Sequence, residues 1–237
     1  MLLFVIRHGE PDYATDTLTK TGHLQAAACA ERLAGYGLDR VYSSPMGRAR
    51  QTAEYTCRAT SLDLQIAEFC SEALAWQDFT YVDAQGRRRW ICDLPNTDFR
   101  SPDNLYRSAD WRQCDCLLAT GEPLPYDRLI AGSDAFLREL GYERDGGVYR
   151  ILRPNDDRVA LFCHGGFGSA WLPHLMALPP HLVWAGYELS LTGVSVFRFT
   201  NPENGLTAPR CVCWSDTSHL YKAGLPTGLE APEHYGV

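Results

Sequence analysis

Two histidines and two arginines stand where runs of apolar residues stop. LLFVI (2–6) ends on Arg7, His8, Gly9 and Glu10. VY (41–42) is followed by Ser43, Ser44 and Pro45, with Arg48 three residues on. VALF (159–162) ends on Cys163, His164, Gly165 and Gly166. In open α/β sheets, ligands bind outside the carboxyl ends of the strands, where such loops converge. Helix starts beyond those loops add backbone N–H groups and a positive dipole end. The three junctions therefore predict an anion site. Phosphate is the natural occupant, because the planar guanidinium fork matches phosphoryl oxygens in bidentate fashion.

Holding an anion is not yet chemistry. A phosphoryl group in transfer spreads charge over three equatorial oxygens, so catalysis comes mostly from fixed positive charge and in-line positioning. An imidazole can be the nucleophile if one ring nitrogen is bare and the other is held by a hydrogen bond. Gly9 lets the backbone pass close beside the ring of His8, and its carbonyl is the expected acceptor. Arg7, Arg48 and a protonated His164 are expected to hold the oxygens. An alkoxide leaves poorly unless protonated, so a carboxylic acid should stand opposite the nucleophile. Glu72, in FCSEALAW, is the best placed.

These residues need rigid elements behind them. Leu2–Ile6, Asp39–Ser44, Leu62–Ile66, VYRIL (148–152) and RVALFCH (158–164) read as strands. ELSLTGVSVFRF (188–199) and RCVCWSDTSHL (210–220) alternate and read as two more, the first at a sheet edge. LTKTGHLQAAACAERLAGYG (18–37) reads as a helix capped by Thr19 or Thr21 and closed by Gly35 or Gly37. Met46, Ala49, Ala53 and Cys57 recur at helical spacing after Pro45. Leu129, Ser133, Phe136 and Leu140 form a second stripe, and GGFGSAWLPHLMAL (165–178) a further helix, with a kink expected at Pro173. Residues 76–124 are aromatic, arginine-rich and without long periodicity. They read as an inserted lid, because a linker would not carry so many Trp, Tyr and Phe residues. The βαβ rhythm predicts a three-layer α/β/α sandwich with a mostly parallel central sheet, one antiparallel edge strand and this lid, in a single domain over 1–237.

The bulk composition limits the partners. Among 237 residues, 22 are basic and 29 acidic, giving a net charge of −7. That balance argues against nucleic acid or an anionic membrane as the main partner. No segment reads as a secretory signal or a membrane span, which points to the cytoplasm and to reduced thiols for the nine cysteines. The Cys114/Cys116 and Cys211/Cys213 pairs lack the spacing usual for structural zinc.

The motifs together resemble the histidine phosphatase superfamily, the branch containing phosphoglycerate mutases and many broad-specificity phosphatases. RHGE (7–10), LTKTGHLQA (18–26), SSPMGRARQTA (43–53), CHGG (163–166) and WSDTSHL (214–220) are similar to its motifs in family order. In the last, Ser215 stands where the family has Asn. The resemblance implies that His8 becomes phosphohistidine, that Arg7, Arg48 and His164 form the phosphate pocket, and that Glu72 is general acid and then base. It implies no metal and no cofactor. Thr19 is carried over as an extra phosphate contact. Around the acid the chain keeps only the glutamate and a tryptophan of the family pattern, so Asp78 is the alternative acid and Glu10 a distant third.

The expected activity is hydrolysis of a small phosphorylated metabolite. A mutase is the runner-up, because mutases of the family generally keep a longer conserved stretch where this chain has PDYATDT (11–17). A phospho-ligand binding module without turnover is the reading from another class. Arg87, Arg88 and Arg89 read as a solvated run, with the sharper idea that one of them, or Arg107 or Arg112, reaches the substrate. Trp76, Trp90 and Trp111 read as a small core of the lid itself. His219 reads as structural, and His23, His174, His181 and His234 carry no functional signal.

Overall fold

The computed structural model describes residues 1–105 and 110–227. Along the chain the elements that position the site are β1 (Leu2–Arg7), α1 (Lys20–Ala34), β2 (Arg40–Ser43), α2 (Gly47–Thr60), β3 (Leu64–Ile66) and α3 (Glu72–Asp78). A hairpin of β4 (Thr80–Val82) and β5 (Arg88–Trp90) follows, then α4 (Asp127–Glu139), β6 (Tyr142–Asp145), β7 (Val148–Ile151) and β8 (Arg158–Cys163). The chain continues through α5 (Gly165–Leu175), α6 (Pro180–Trp184), β9 (Val194–Arg198), β10 (Arg210–Asp216) and α7 (Ser218–Lys222). No helix among the described residues is long and apolar enough to cross a membrane.

The central sheet has six strands in the order β10-β9-β1-β8-β2-β3. β1, β8, β2 and β3 are parallel, in the register Arg7 to Cys163 and Phe162 to Ser43. That register brings the ends of β1, β8 and β2 level. Strand alternation divides the apolar residues between two faces. Phe4, Ile6, Val41, Ala160 and Phe162 pack against Cys29 and Leu33 of α1 and Ala53 of α2. Leu3, Val5, Tyr42, Val159 and Leu161 pack with Phe136 of α4 and Phe167 and Trp171 of α5. The result is an α/β/α sandwich.

The antiparallel strand lies one place in from where the sequence put it. β9 is antiparallel to both β1 and β10, and β10 is the edge. Val194 and Phe197 are fully buried, as an interior strand requires. The strand also starts at Val194 and not at Glu188. VYRIL does not join the central sheet. Gly146, at φ 62°, and Gly147 make a two-residue turn that folds β7 back on β6 in a separate three-stranded sheet.

α1 is capped by Thr19, whose hydroxyl accepts from the Gly22 amide at 3.0 Å. α5 ends at Leu175, so Pro173 falls in its last turn and not in its middle. A proline there cannot donate to the carbonyl four residues back. The indole N–H of Trp184 donates to that carbonyl, Ser169 O, at 3.0 Å.

The segment 76–124 shares its core with the sheet, whereas the sequence suggested a small core of its own. Phe79, Ile91, Phe99 and Trp111 belong to one buried cluster with Phe167, Trp171 and Trp184. Its arginines brace the β4–β5 hairpin. Arg87 and Arg89 pair with Asp83, and Arg88 donates to Thr80 Oγ1 at 2.8 Å.

Candidate active site

His8 is the first residue beyond β1 and is 1% exposed. Its own amide donates to Cys163 O at 3.0 Å, and Thr192 N–H donates to its carbonyl at 3.2 Å, so the backbone is held from both sides. The ring is held too. Nδ1 lies 2.7 Å from Gly9 O, and Arg48 Nε lies 3.1 Å from Nε2. A guanidinium only donates. Nε2 therefore carries the lone pair, and Nδ1 carries the proton and donates to the Gly9 carbonyl. Burial pushes the His8 imidazolium well below the ordinary value, helped by the charges of Arg7 and Arg48 and opposed by the Gly9 hydrogen bond. His8 is a neutral imidazole whose Nε2 is unprotonated and accepts from Arg48.

The chain around His8 needs glycine. A Cβ on Gly9 would come within 2.7 Å of Gly22 O, and one on Gly22 within 2.2 Å of Glu10 O. The end of β1 and the first turn of α1 pass each other in backbone contact. The Gly9 amide donates to Thr52 Oγ1 at 3.0 Å, and Thr52 donates on to Arg48 O at 2.8 Å. Thr52 thus ties the histidine loop to the helix that carries the arginine.

Three more groups converge on the ring. Arg48 is anchored by Asp16, whose other oxygen accepts from the Gly47 amide at 2.7 Å. Arg7 donates to Leu189 O, and its buried Nε has no partner. His164 stands edge-on to His8, with ring centroids 5.1 Å apart. Its Nε2 pairs with Ser44 Oγ at 2.7 Å, and its buried Nδ1 has no partner. Burial and the neighbouring His8, Arg48 and Arg7 push His164 well below the ordinary imidazole value. That direction runs against the expected protonated His164: burial first, and then the three neighbours, disfavour its charged form.

Glu72 opens α3 and lies against the first turn of α5. Its Oε1 accepts from Gly166 N–H at 3.0 Å and its Oε2 from Phe167 N–H at 2.7 Å. Those bonds, with Arg48 and Arg7, favour the carboxylate, but burial is the larger effect and raises the pKa above the ordinary carboxyl value. The indole of Trp90 lies over the same turn: a Cβ on Gly166 would be 2.4 Å from its ring. Trp90 in turn meets Trp76 edge to face at 4.9 Å.

The other candidates are placed elsewhere or are otherwise engaged. The Thr19 hydroxyl donates to Glu10 Oε1 at 2.6 Å as well as capping α1. Asp78, six residues beyond Glu72, is clasped by Arg128 at 3.0 and 2.8 Å. Arg112 stacks on Trp111 and Tyr126, with its guanidinium carbon 4.4 and 5.6 Å from the rings. Arg107 and His234 lie outside the described residues. His219 reaches Thr192 Oγ1 at 3.0 Å, and Thr192 donates to His8 O, so His219 supports the His8 loop through one intermediary. Sequence reasoning missed Asp16, Thr52, Trp90 and the Leu189 carbonyl. Thr52 was visible as a motif residue, whereas the others contact the site only through tertiary folding.

The model of the histidine phosphatase superfamily (branch 1) matches residues 3–102. That segment, somewhat under half of the chain, is similar to the histidine phosphatase superfamily. The superfamily segment carries His8, Arg48 and Glu72 together. A probable phosphoglycerate mutase of Citrobacter koseri is 26% identical over 231 residues, covering 92% of this chain and 94% of its own. One from Salmonella typhi shows the same identity and coverage. Among solved structures, a phosphoserine phosphatase of Entamoeba histolytica bound to 3-phosphoglyceric acid aligns with a TM-score of 0.57 at 21% identity, over 92% of this chain and 98% of its own. A mycobacterial glucosyl-3-phosphoglycerate phosphatase aligns at 0.58 and 20%, over 92% and 98%. These structures share the fold.

Proposed function

We propose that the protein is a phosphomonoester hydrolase that works through a phosphohistidine on His8 and takes a small phosphorylated metabolite. One observation carries the reading. Beside a neutral ring with an unprotonated Nε2 lie two buried nitrogens, Arg7 Nε and His164 Nδ1, that no protein group pairs, and both are donors in the tautomer in which Ser44 Oγ donates to His164 Nε2. Buried donors are rarely left unpaired. A phosphoryl oxygen in front of Nε2 would satisfy both.

In the first step His8 Nε2 attacks phosphorus, the N–P bond forms and the P–O bond to the leaving group breaks. Glu72, whose pKa burial raises, gives its proton to the leaving oxygen. In the second step Glu72 as carboxylate takes a proton from water. The water oxygen attacks phosphorus, and the N–P bond breaks to release phosphate and restore His8. Arg7 and Arg48 carry the charge that builds on the equatorial oxygens. An arriving phosphate dianion also offsets those cations, which makes it easier for His164 to share a proton with an oxygen.

His8→Ala is the test, with 4-nitrophenyl phosphate as substrate. Turnover should be lost, and denatured wild type should hold acid-labile, base-stable phosphate that the variant lacks. Undiminished turnover in the variant overturns the reading. The mutase reading is favoured by one finding, the description of the aligned relatives as probable phosphoglycerate mutases. Interconversion of phosphoglycerates that depends on added bisphosphoglycerate would select it over hydrolysis.

A further inference from the structure

A second cavity lies at the C-terminal end of α5. It holds about 200 Å³ between Trp111–Arg112, the Gly146–Gly147 turn and the C-terminal end of α5, and it shares no residue with the His8 pocket. Glu72 rests on Gly166 and Phe167 in the first turn of α5 and His174 stands in its last, seven to eight residues on at about 1.5 Å each, or roughly 11–12 Å along the helix.

The lining combines apolar and polar groups in an uncommon way. Tyr126 and Tyr149 are 3% and 2% exposed, and both line the cavity. Neither hydroxyl has a hydrogen-bond partner, and neither does His174 Nε2. Leaving a buried donor unpaired costs about 1–3 kcal/mol each. Three such atoms around one cavity point to a ligand that pairs with them. The charge is equally specific. Arg112, stacked on Trp111 and Tyr126, forms no ion pair with any described residue. Arg144 also lines the cavity, but Asp134 holds it at both nitrogens at 2.7 Å and neutralises it. The cavity thus offers one uncompensated positive charge. The last carbonyls of α5 are already accepting from Met176, Ala177 and Leu178 amides. The remaining lining, including Ile130, Leu175 and Leu178, is apolar.

We propose that this cavity is a second ligand site, which takes a small organic monocarboxylate with an aromatic or branched apolar body. The carboxylate pairs with Arg112 and accepts from the tyrosine hydroxyls, and the body packs on Ile130, Leu175 and Leu178. A phosphate ester is a poorer fit, because its second charge finds no second free cation. The bound acid joins Arg112 and Tyr126, which flank residues 113–125, to the core helices α4 and α5.

Calorimetric titration of the full chain with 3-phenylpropionate tests this, with and without saturating inorganic phosphate. Single-site binding should appear, weaken by roughly tenfold or more in Arg112→Gln and measurably in Tyr149→Phe, and persist in phosphate. Tyr149→Phe removes only an oxygen without a partner, so it should be as stable as wild type or more so, whatever Arg112→Gln does to folding. Absence of binding, undiminished affinity in Tyr149→Phe, or displacement by phosphate each overturns the proposal. The last outcome would place the acid in the His8 pocket instead.

Discussion

Replacing Glu72 by Gln separates its proton from its shape. The wild-type carboxyl offers one oxygen to each of two amides, Gly166 N–H and Phe167 N–H. Glutamine has one oxygen, so one amide is left facing an NH₂ donor. That costs about 1–3 kcal/mol of folding stability, or a fall in Tm of roughly 2–4 °C per kcal/mol for a chain of this length. The catalytic loss is larger. A positioned general acid contributes about 10²–10⁴-fold, or roughly 3–5 kcal/mol of barrier. Kinetics on two substrates reads it out. In kcat/KM, which reports only the steps up to formation of the phosphohistidine, an alkyl ester such as β-glycerophosphate should lose this full factor, whereas 4-nitrophenyl phosphate, whose phenolate leaves without much help, should lose far less. The pH profile is a second signature. Burial raises Glu72, so its protonated fraction declines as pH climbs through the raised value, and kcat/KM should fall on that side. Burial lowers His8, so the acid limb should lie well below the ordinary imidazole value of 6.5. In Glu72→Gln the basic limb should vanish and the acid limb remain. Alkyl-ester turnover within about threefold of wild type, or a basic limb that survives, refutes the assignment. Asp78→Asn is the control: its carboxylate is clasped by Arg128, and the rate should hold.

Other perturbations follow from the same contacts. Thr52→Val keeps the shape but leaves the buried Gly9 amide unpaired, and should cost about 1–3 kcal/mol in urea denaturation; a change under about 0.5 kcal/mol refutes the tie between the histidine loop and α2. Gly166→Ala drives a methyl into the Trp90 indole and should cost about 1–3 kcal/mol, while in a Trp90→Leu background the same change should cost less. Additive costs would mean that the indole is not on that turn. His219 is pushed down to about 4 by burial and Arg32. Between 6.5 and that value the unfolded chain binds the proton and the folded chain does not, so stability falls as pH falls through that window. His219→Asn should flatten this part of the stability profile, and an unchanged slope refutes it.

The sequence located the chemistry because its marks are local. A buried strand that stops on a histidine and a glycine can be read from a dozen residues, and so can a helix beginning with an arginine one turn in. The parallel order followed from the βαβ rhythm, and the sandwich with it. The place of β9 did not, since GVSVFRF alternates equally well at an edge or one strand in. Only the partner strand β10 decides that Val194 and Phe197 are covered.

By itself the sequence determined which residue types stand at the ends of β1, β2 and β8, and so that two imidazoles and two guanidiniums are brought together there. Tertiary structure decided their states. The tautomer of His8 is set by Arg48, forty residues away, donating to Nε2. The downward shift of His164 is set by burial and three neighbours from two other loops. What sets Glu72 apart from Asp78 is what each carboxylate meets, two helix amides or an arginine. Local sequence fixes residue type and secondary structure because those depend on near neighbours. Protonation and pairing depend on which charges and donors share a dry volume, and only the folded chain brings those together.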